Sequence, residues 1–167
     1  MWNDIKGPVI ADTVYESGQL VAKDVSFTLP SLEFLTTDVQ AMGNMTVPLV
    51  GLLENMELSI TKIGIDKGLG QLNKLKPLDL EFRWVQDVVK SDGTVKPEGC
   101  KAFVRAIPLS TPELEVELGN ATEAETTYTV TRQQIYCNGE EYLCVDRLAG
   151  VLRVAGTDYY TDISSLL

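Results

Sequence analysis

Residues 78–84 read Leu78-Asp79-Leu80-Glu81-Phe82-Arg83-Trp84, an unbroken alternation of apolar and charged side chains. A period of two puts the four apolar residues on one face of a strand and the charges on the other; a helix would scatter both sets around its axis. The same reading applies on both sides of this stretch. Met56, Leu58 and Ile60 alternate with Glu57, Ser59 and Thr61, and Leu114, Val116 and Leu118 alternate with Glu113, Glu115 and Glu117. A weaker copy, with Val25, Phe27 and Leu29 opposite Asp24, Ser26 and Thr28, runs through Val21–Leu29. Thr126–Tyr136 is rich in the β-branched and aromatic residues that suit a pleated surface. The expectation is a mainly β fold of half-buried strands.

The punctuation agrees. Ser17-Gly18 and Asn138-Gly139 lie between strand-like runs and read as tight hairpin turns, because Gly and Asn tolerate positive φ. Ser91-Asp92-Gly93 with Pro97 and Gly99 marks a longer loop, and Gly119–Ala124 another. Helical signals are few. Asp66 is placed to cap a short helix reaching Leu75 before Pro77, with Leu69, Leu72 and Leu75 on one side. Asp158 is placed to cap a C-terminal helix through Leu166, with Tyr160, Ile163 and Leu167 facing inward. No composition break, linker or internal repeat divides residues 1–167, which read as a single domain.

Composition narrows the function. The 167 residues are 44 % hydrophobic, enough for a full core without metal or disulfide staples. There is no histidine, which removes Ser-His-Asp and Cys-His nucleophile pairs and imidazole metal sites. Gly68-Leu69-Gly70 is followed by Asn73 where a dinucleotide fingerprint needs its third glycine, so it reads as a helix start. No catalytic, cofactor-binding or metal-binding residues are assigned. Glu140-Glu141 on a hairpin tip reads as solvated. The first ten residues lack the apolar core of a signal peptide, and no run is long and apolar enough to span a membrane. Three cysteines, an odd number, fit a reducing compartment. A two-residue loop at Asn138-Gly139 would set Cys137 opposite Glu140 and Cys144 opposite Gln133, so that hairpin offers no disulfide.

Charge is unevenly spread. The chain carries a net −10; residues 1–112 hold 14 acids against 11 bases, and residues 113–167 hold 10 against 3. This is the wrong sign for a surface that grips polyanions. Glu113, Glu115 and Glu117 would share one strand face, either solvated outside or turned to an acidic wall that Asp24 and Glu57 could join.

The order of short motifs resembles a known family. Tyr15-Glu16-Ser17-Gly18-Gln19-Leu20-Val21 leads to Phe27-Thr28-Leu29-Pro30, then Val47-Pro48-Leu49-Val50-Gly51-Leu52-Leu53-Glu54-Asn55-Met56-Glu57. Near the end come Tyr136-Cys137-Asn138-Gly139-Glu140-Glu141, Asp146, Leu152-Arg153-Val154 and Gly156-Thr157-Asp158-Tyr159. From about Ala11 onward the chain resembles the major tail tube protein of contractile-tailed phages and R-type bacteriocins. It departs at Ala155-Gly156-Thr157-Asp158, where the family usually has Asn-Gly-Val-Asp, and at Val104-Arg105-Ala106, where an Arg-Gly-Arg-like stretch is usual.

The resemblance implies a β-sandwich or split barrel with a short internal helix and a short C-terminal helix. Six such subunits would form rings that stack into a tube around a shared inner β-barrel. The implied partners are the chain itself, a tail sheath protein, a tape-measure protein and a baseplate tube-initiator, with DNA as transient lumen cargo and no stable membrane association. The implied location is a virion tail or bacteriocin particle assembled in the bacterial host cytoplasm. In that setting Pro48, Leu49, Leu52 and Leu53 are the candidate subunit or ring interface, unless they pack under a loop of their own subunit. Glu113, Glu115, Glu117, Asp24 and Glu57 are the candidate acidic lumen. The competing reading is a monomeric β-barrel that binds a small apolar ligand.

Overall fold

The computed structural model describes residues 4–167. Strands β1 (Ile5–Glu16), β2 (Gln19–Lys23), β3 (Ser26–Thr28), β4 (Phe34–Gln40), β5 (Asn44–Leu53) and β6 (Glu57–Ile63) precede helix α1 (Lys67–Leu72). Strands β7 (Leu78–Val89), β8 (Val95–Pro108), β9 (Glu123–Cys137), β10 (Glu140–Asp146), β11 (Val151–Val154) and β12 (Thr157–Asp158) follow, and then α2 (Thr161–Ser164). The architecture is mainly β with two short helices, as the alternations require.

Antiparallel pairing runs β2-β1-β7-β8-β9-β6-β3. Strands β2 and β3 are consecutive in the chain but do not pair. The Phe27 ring of β3 nevertheless lies 4.6 Å from that of Phe82 on β7 and 5.9 Å from that of Trp84. The sheet therefore curls back on itself into a split barrel, open between β2 and β3. Its interior is filled by the inward residues of the alternating strands, among them Val14, Leu58, Leu80, Phe82, Val104 and Tyr128, all fully buried. These side chains pack together in one hydrophobic core. The second half of β9 keeps β8 on one side and takes β10 in place of β6 on the other, and β11 and β12 continue the sheet from β10.

The turns follow their residues. Ser17-Gly18 has φ of 50° and 82°, and Asn138-Gly139 has 51° and 79°. Two consecutive left-handed residues make the hairpin turn whose twist matches the strands. A third such turn, at Ala155-Gly156 (50° and 82°), joins β11 to β12.

Several sequence expectations need correction. Leu114–Leu118 is not a strand; it lies in a loop with no ladder partner, for reasons given below. Helix α1 stops at Leu72, because Asn73 turns its backbone N–H and its side-chain amide back onto Leu69 O; Leu75, beyond it, is exposed. Asp66 is the expected cap, accepting from Leu69 N at 2.9 Å. Helix α2 ends at Ser164, and Leu167 is fully exposed rather than inward. Asp158 does brace the start of α2, accepting from Tyr160 N at 2.9 Å and Thr161 N at 3.2 Å. The Tyr160 amide in particular holds the Asp158 carboxyl below the usual range.

Pro97 and Gly99 belong to β8, not to the loop, which is confined to residues 90–94. Gly99 O accepts from Asn138 N at 3.0 Å, so Gly99 directs its backbone toward β9. Pro97, two residues earlier, faces the same side, where β9 has already ended and no N–H is needed. Cys137 stands opposite Glu140 as expected, but a register shift between Glu141 and Leu143 moves Cys144 opposite Gln134 instead of Gln133.

Candidate assembly surfaces

Strands β4 and β5 form a two-stranded sheet of their own, outside the barrel. An isolated hairpin is marginal in water, so its base must be held. Phe34 and Leu53 pack on the core, and Glu54 N donates to Glu33 O at 2.7 Å. The Arg147 guanidinium, from the turn after β10, donates to Leu53 O and Glu54 O, each at 3.1 Å. Gly51, at φ +106°, lies so close to α2 that an added Cβ would sit 2.9 Å from Ile163 Cδ1. The C-terminal segment therefore braces the hairpin at its root.

Beyond that root the hairpin is bare. Leu35, Val39, Met42, Met45, Val50 and Leu52 are all exposed, and among the described residues neither outer edge of the ribbon has a ladder neighbour. Burial alternates along β5: Pro48 and Leu52 are exposed, and Leu49 and Leu53 are half-buried, Leu53 against the core. The four candidate interface residues thus divide between two environments. Val39, Met42 and Met45 are exposed on the same hairpin, and sequence reasoning did not single them out. The Ala41-Met42-Gly43 tip, with φ of 51° and 122° at its last two residues, is the turn signal that would have exposed the hairpin.

The second surface lies where β8 ends. Leu109 N donates to Thr127 O at 3.0 Å, the last pairing before the chain leaves the sheet. It returns where Gly64 N donates to Thr122 O at 2.8 Å. Between these points the loop stands away from β6 and β9 and encloses an open hollow of about 1200 Å³. Glu113, Glu115 and Glu117 line it from the loop, and Glu123 and Glu125 line it from β9. Ser59 donates to Glu125 Oε1 at 3.0 Å, and Asn120 Nδ2 to Glu117 Oε2 at 2.9 Å. No lysine or arginine lines the hollow. Among the described residues no three carboxylates or thiols are placed to hold a metal ion.

The loop's alternating sequence is a strand pattern without a strand. The apolar residues Val116 and Leu118, which a partner would cover, are 81 % and 104 % exposed. The remaining candidate acids lie elsewhere. Glu57 is exposed on β6 opposite Thr129, on the outward face it shares with Ser59 and Thr61. Asp24 is exposed in the β2–β3 turn at φ 52°.

A split barrel that carries a bare apolar hairpin and an unpaired acidic loop is the shape of a part, not of a finished surface. The sequence matches the phage tail tube protein FII family over residues 9–167. The chain belongs to that family. No curated protein matches its sequence. The fold of this phage tail tube protein is shared with solved chains of an extracellular contractile injection system. One, from the PVC sheath-tube complex in its extended state, has a TM-score of 0.50 at 17 % identity, covering 77 % of this chain and 90 % of that one. Another, from the PVC sheath/tube terminator in its extended state, gives 0.50 at 16 %, covering 78 % and 96 %. The tail tube protein is a structural subunit and not an enzyme.

Proposed function

We propose that the tail tube protein assembles into hexameric rings that stack into the inner tube of a contractile particle, with the β4–β5 hairpin completing a β-barrel shared between subunits. The observation that carries this is the hairpin itself. It has a fixed root, two unpaired edges and six exposed large apolar side chains, and antiparallel pairing with a neighbour would satisfy all of these at once. The outer edge of β1 from Ile5 to Asp12, with exposed Ile5, Val9 and Ile10, is a second free edge, since β2 covers only Thr13–Glu16. The loop at 109–122, whose apolar face is also bare, supplies a contact to the next ring.

A net charge of −10 per subunit supports a DNA conduit, because an acidic wall without bases gives phosphate nothing to release counterions against. The sheath around the PVC tube chains supports a sheath partner here. The tape-measure protein, the baseplate initiator, assembly in the bacterial host cytoplasm, and a role in either a virion or a membrane-puncturing bacteriocin all follow from the tube reading. Negative-stain electron microscopy and size-exclusion chromatography of the concentrated protein test it. Six-fold rings or rods of uniform width are expected; a species that stays monomeric at every concentration overturns it.

A further inference from the structure

Cys100 on β8 and Cys137 on β9 stand directly opposite each other in the ladder, and their Sγ atoms lie 2.7 Å apart. The hydrogen bond from Asn138 N to Gly99 O flanks this pair, which makes it one of the positions where facing residues do not bond to each other. At such positions the Cα atoms are about 4.5 Å apart and side chains meet most closely. That separation lies within the span a disulfide bridges without backbone movement. We propose that Cys100 and Cys137 are a redox pair that closes to a cross-strand disulfide when the protein meets a small-molecule disulfide such as oxidised glutathione.

The two thiols are placed unequally. Cys137 is half-buried, open to a small oxidant, and accepts a hydrogen bond from Gln86 Nε2 at 3.2 Å. Cys100 is buried. The Cys137 thiolate attacks one sulfur of oxidised glutathione, forming a mixed disulfide and releasing one glutathione thiolate. Cys100 then gives up its proton and attacks the Cys137 sulfur, releasing the second. The protein loses two hydrogens and the oxidant becomes two glutathione thiols, so electrons and protons balance. Burial pushes the Cys100 thiol up to about 12, so the closing step is slow at neutral pH and quickens as pH rises. Cys144 of β10, opposite Gln134 of β9, takes no part.

The bond would tie β8 to β9 at the foot of the β9–β10 turn, and would form once the protein left a reducing compartment for an oxidising one. This holds whether or not the chain builds a tube. The test is incubation of the native full chain with oxidised glutathione, followed by alkylation under denaturing conditions and peptide mapping. Alkylatable thiols are expected to fall from three to one. A Cys100–Cys137 peptide pair that dithiothreitol dissolves should appear, and it should form faster at pH 9 than at pH 7. C100S should instead accumulate a stable glutathione adduct at Cys137. Three persistent thiols, a wild-type protein that stops at the adduct, or a bond to Cys144 or to a second chain each overturns the proposal. The wild-type map decides the matter even if C100S fails to fold.

Discussion

Tyr128, fully buried at the middle of β9, donates its phenolic hydrogen to the carbonyl oxygen of Leu72 at the last turn of α1. A helix of six residues is too short to hold itself, so α1 exists because its neighbours hold it. Tyr128 takes one end, Asp66 caps the other while pairing with Lys62 at 2.8 Å, and Leu69 and Leu72 are buried beneath. The helix in turn covers the β2 end of the split barrel.

Tyr128→Phe leaves the Leu72 carbonyl without its donor in a dry site, and the expected loss is about 1–2 kcal/mol at neutral pH. The pH dependence follows from burial, which raises the folded-state pKa of this phenol. The unfolded chain ionises near the ordinary value of about 10, before the folded one does. Wild-type stability from this group is therefore complete below pH ~10 and declines above it. Denaturant melts at pH 8 and pH 10.5 should show the gap between wild type and Y128F narrowing at the higher pH; a constant gap refutes the linkage.

Gly68 and Gly70 share one helix but should respond oppositely to alanine. A Cβ on Gly68 would lie 1.9 Å from Val21 O, a backbone atom of β2 that cannot step aside alone. G68A is expected to cost about 1–3 kcal/mol by forcing α1 off the barrel. An added Cβ on Gly70 meets nothing within 4 Å, so G70A should gain up to about 1 kcal/mol from helix propensity. Thermal melts of the two variants give the comparison.

Ala155 holds φ 50° in the β11–β12 turn, the place where the family's Asn would sit more easily. A155N is expected to raise stability by about 0.5–1 kcal/mol and leave assembly unchanged, read from the shift in thermal midpoint. A lower midpoint would mean that Asn meets a clash the backbone does not reveal.

The barrel was legible because its strands satisfy their pattern within the chain: Leu80 and Phe82 are buried where the alternation places them, and the two Gly-containing hairpins turn where expected. Glu113–Leu118 carries an equally clean alternation yet forms no strand, since a period of two reports a face that wants covering and not where the cover comes from. The hairpin tip at Met42-Gly43 was hidden because β4 and β5 are apolar on surfaces a lone subunit exposes. The Cys144 register slipped by one through a local irregularity that side-chain pattern does not encode. Arg147, which grips Leu53 and Glu54 through their carbonyls, leaves no sequence signature, because backbone acceptors are the same at every residue.

Leu52 and Leu53 are neighbours in β5 with opposite surroundings, so their substitution separates folding from assembly. Leu52 is 52 % exposed, whereas Leu53 packs on the core beside the Arg147 clamp. L52D should fold with a thermal midpoint within a few degrees of wild type and fail to form rods. L53D should lose about 2–4 kcal/mol and fail to accumulate as folded protein. Rods from L52D seen by electron microscopy would remove this side of the hairpin from the interface.

Replacing Glu113, Glu115 and Glu117 together with Lys tests whether the acidic loop faces the channel. In the lone subunit the new ammonium groups would look across the hollow at Glu123 and Glu125, which should ease folding rather than oppose it. In a ring, repulsion between neighbouring loops is screened over a Debye length of about 8 Å, so assembly should survive. If the loop lines the lumen, the variant tube presents three phosphate-binding bases per subunit. DNA should then co-purify with the tubes or be ejected slowly, and raising the salt should release it, because such binding weakens steeply with ionic strength. A triple-Lys tube that ejects at the wild-type rate, with no salt-sensitive DNA retention, places the loop outside the channel. An acidic lumen would then have to be built from other groups, with Glu57 on the outward face of β6 and Asp24 in the β2–β3 turn the next to substitute.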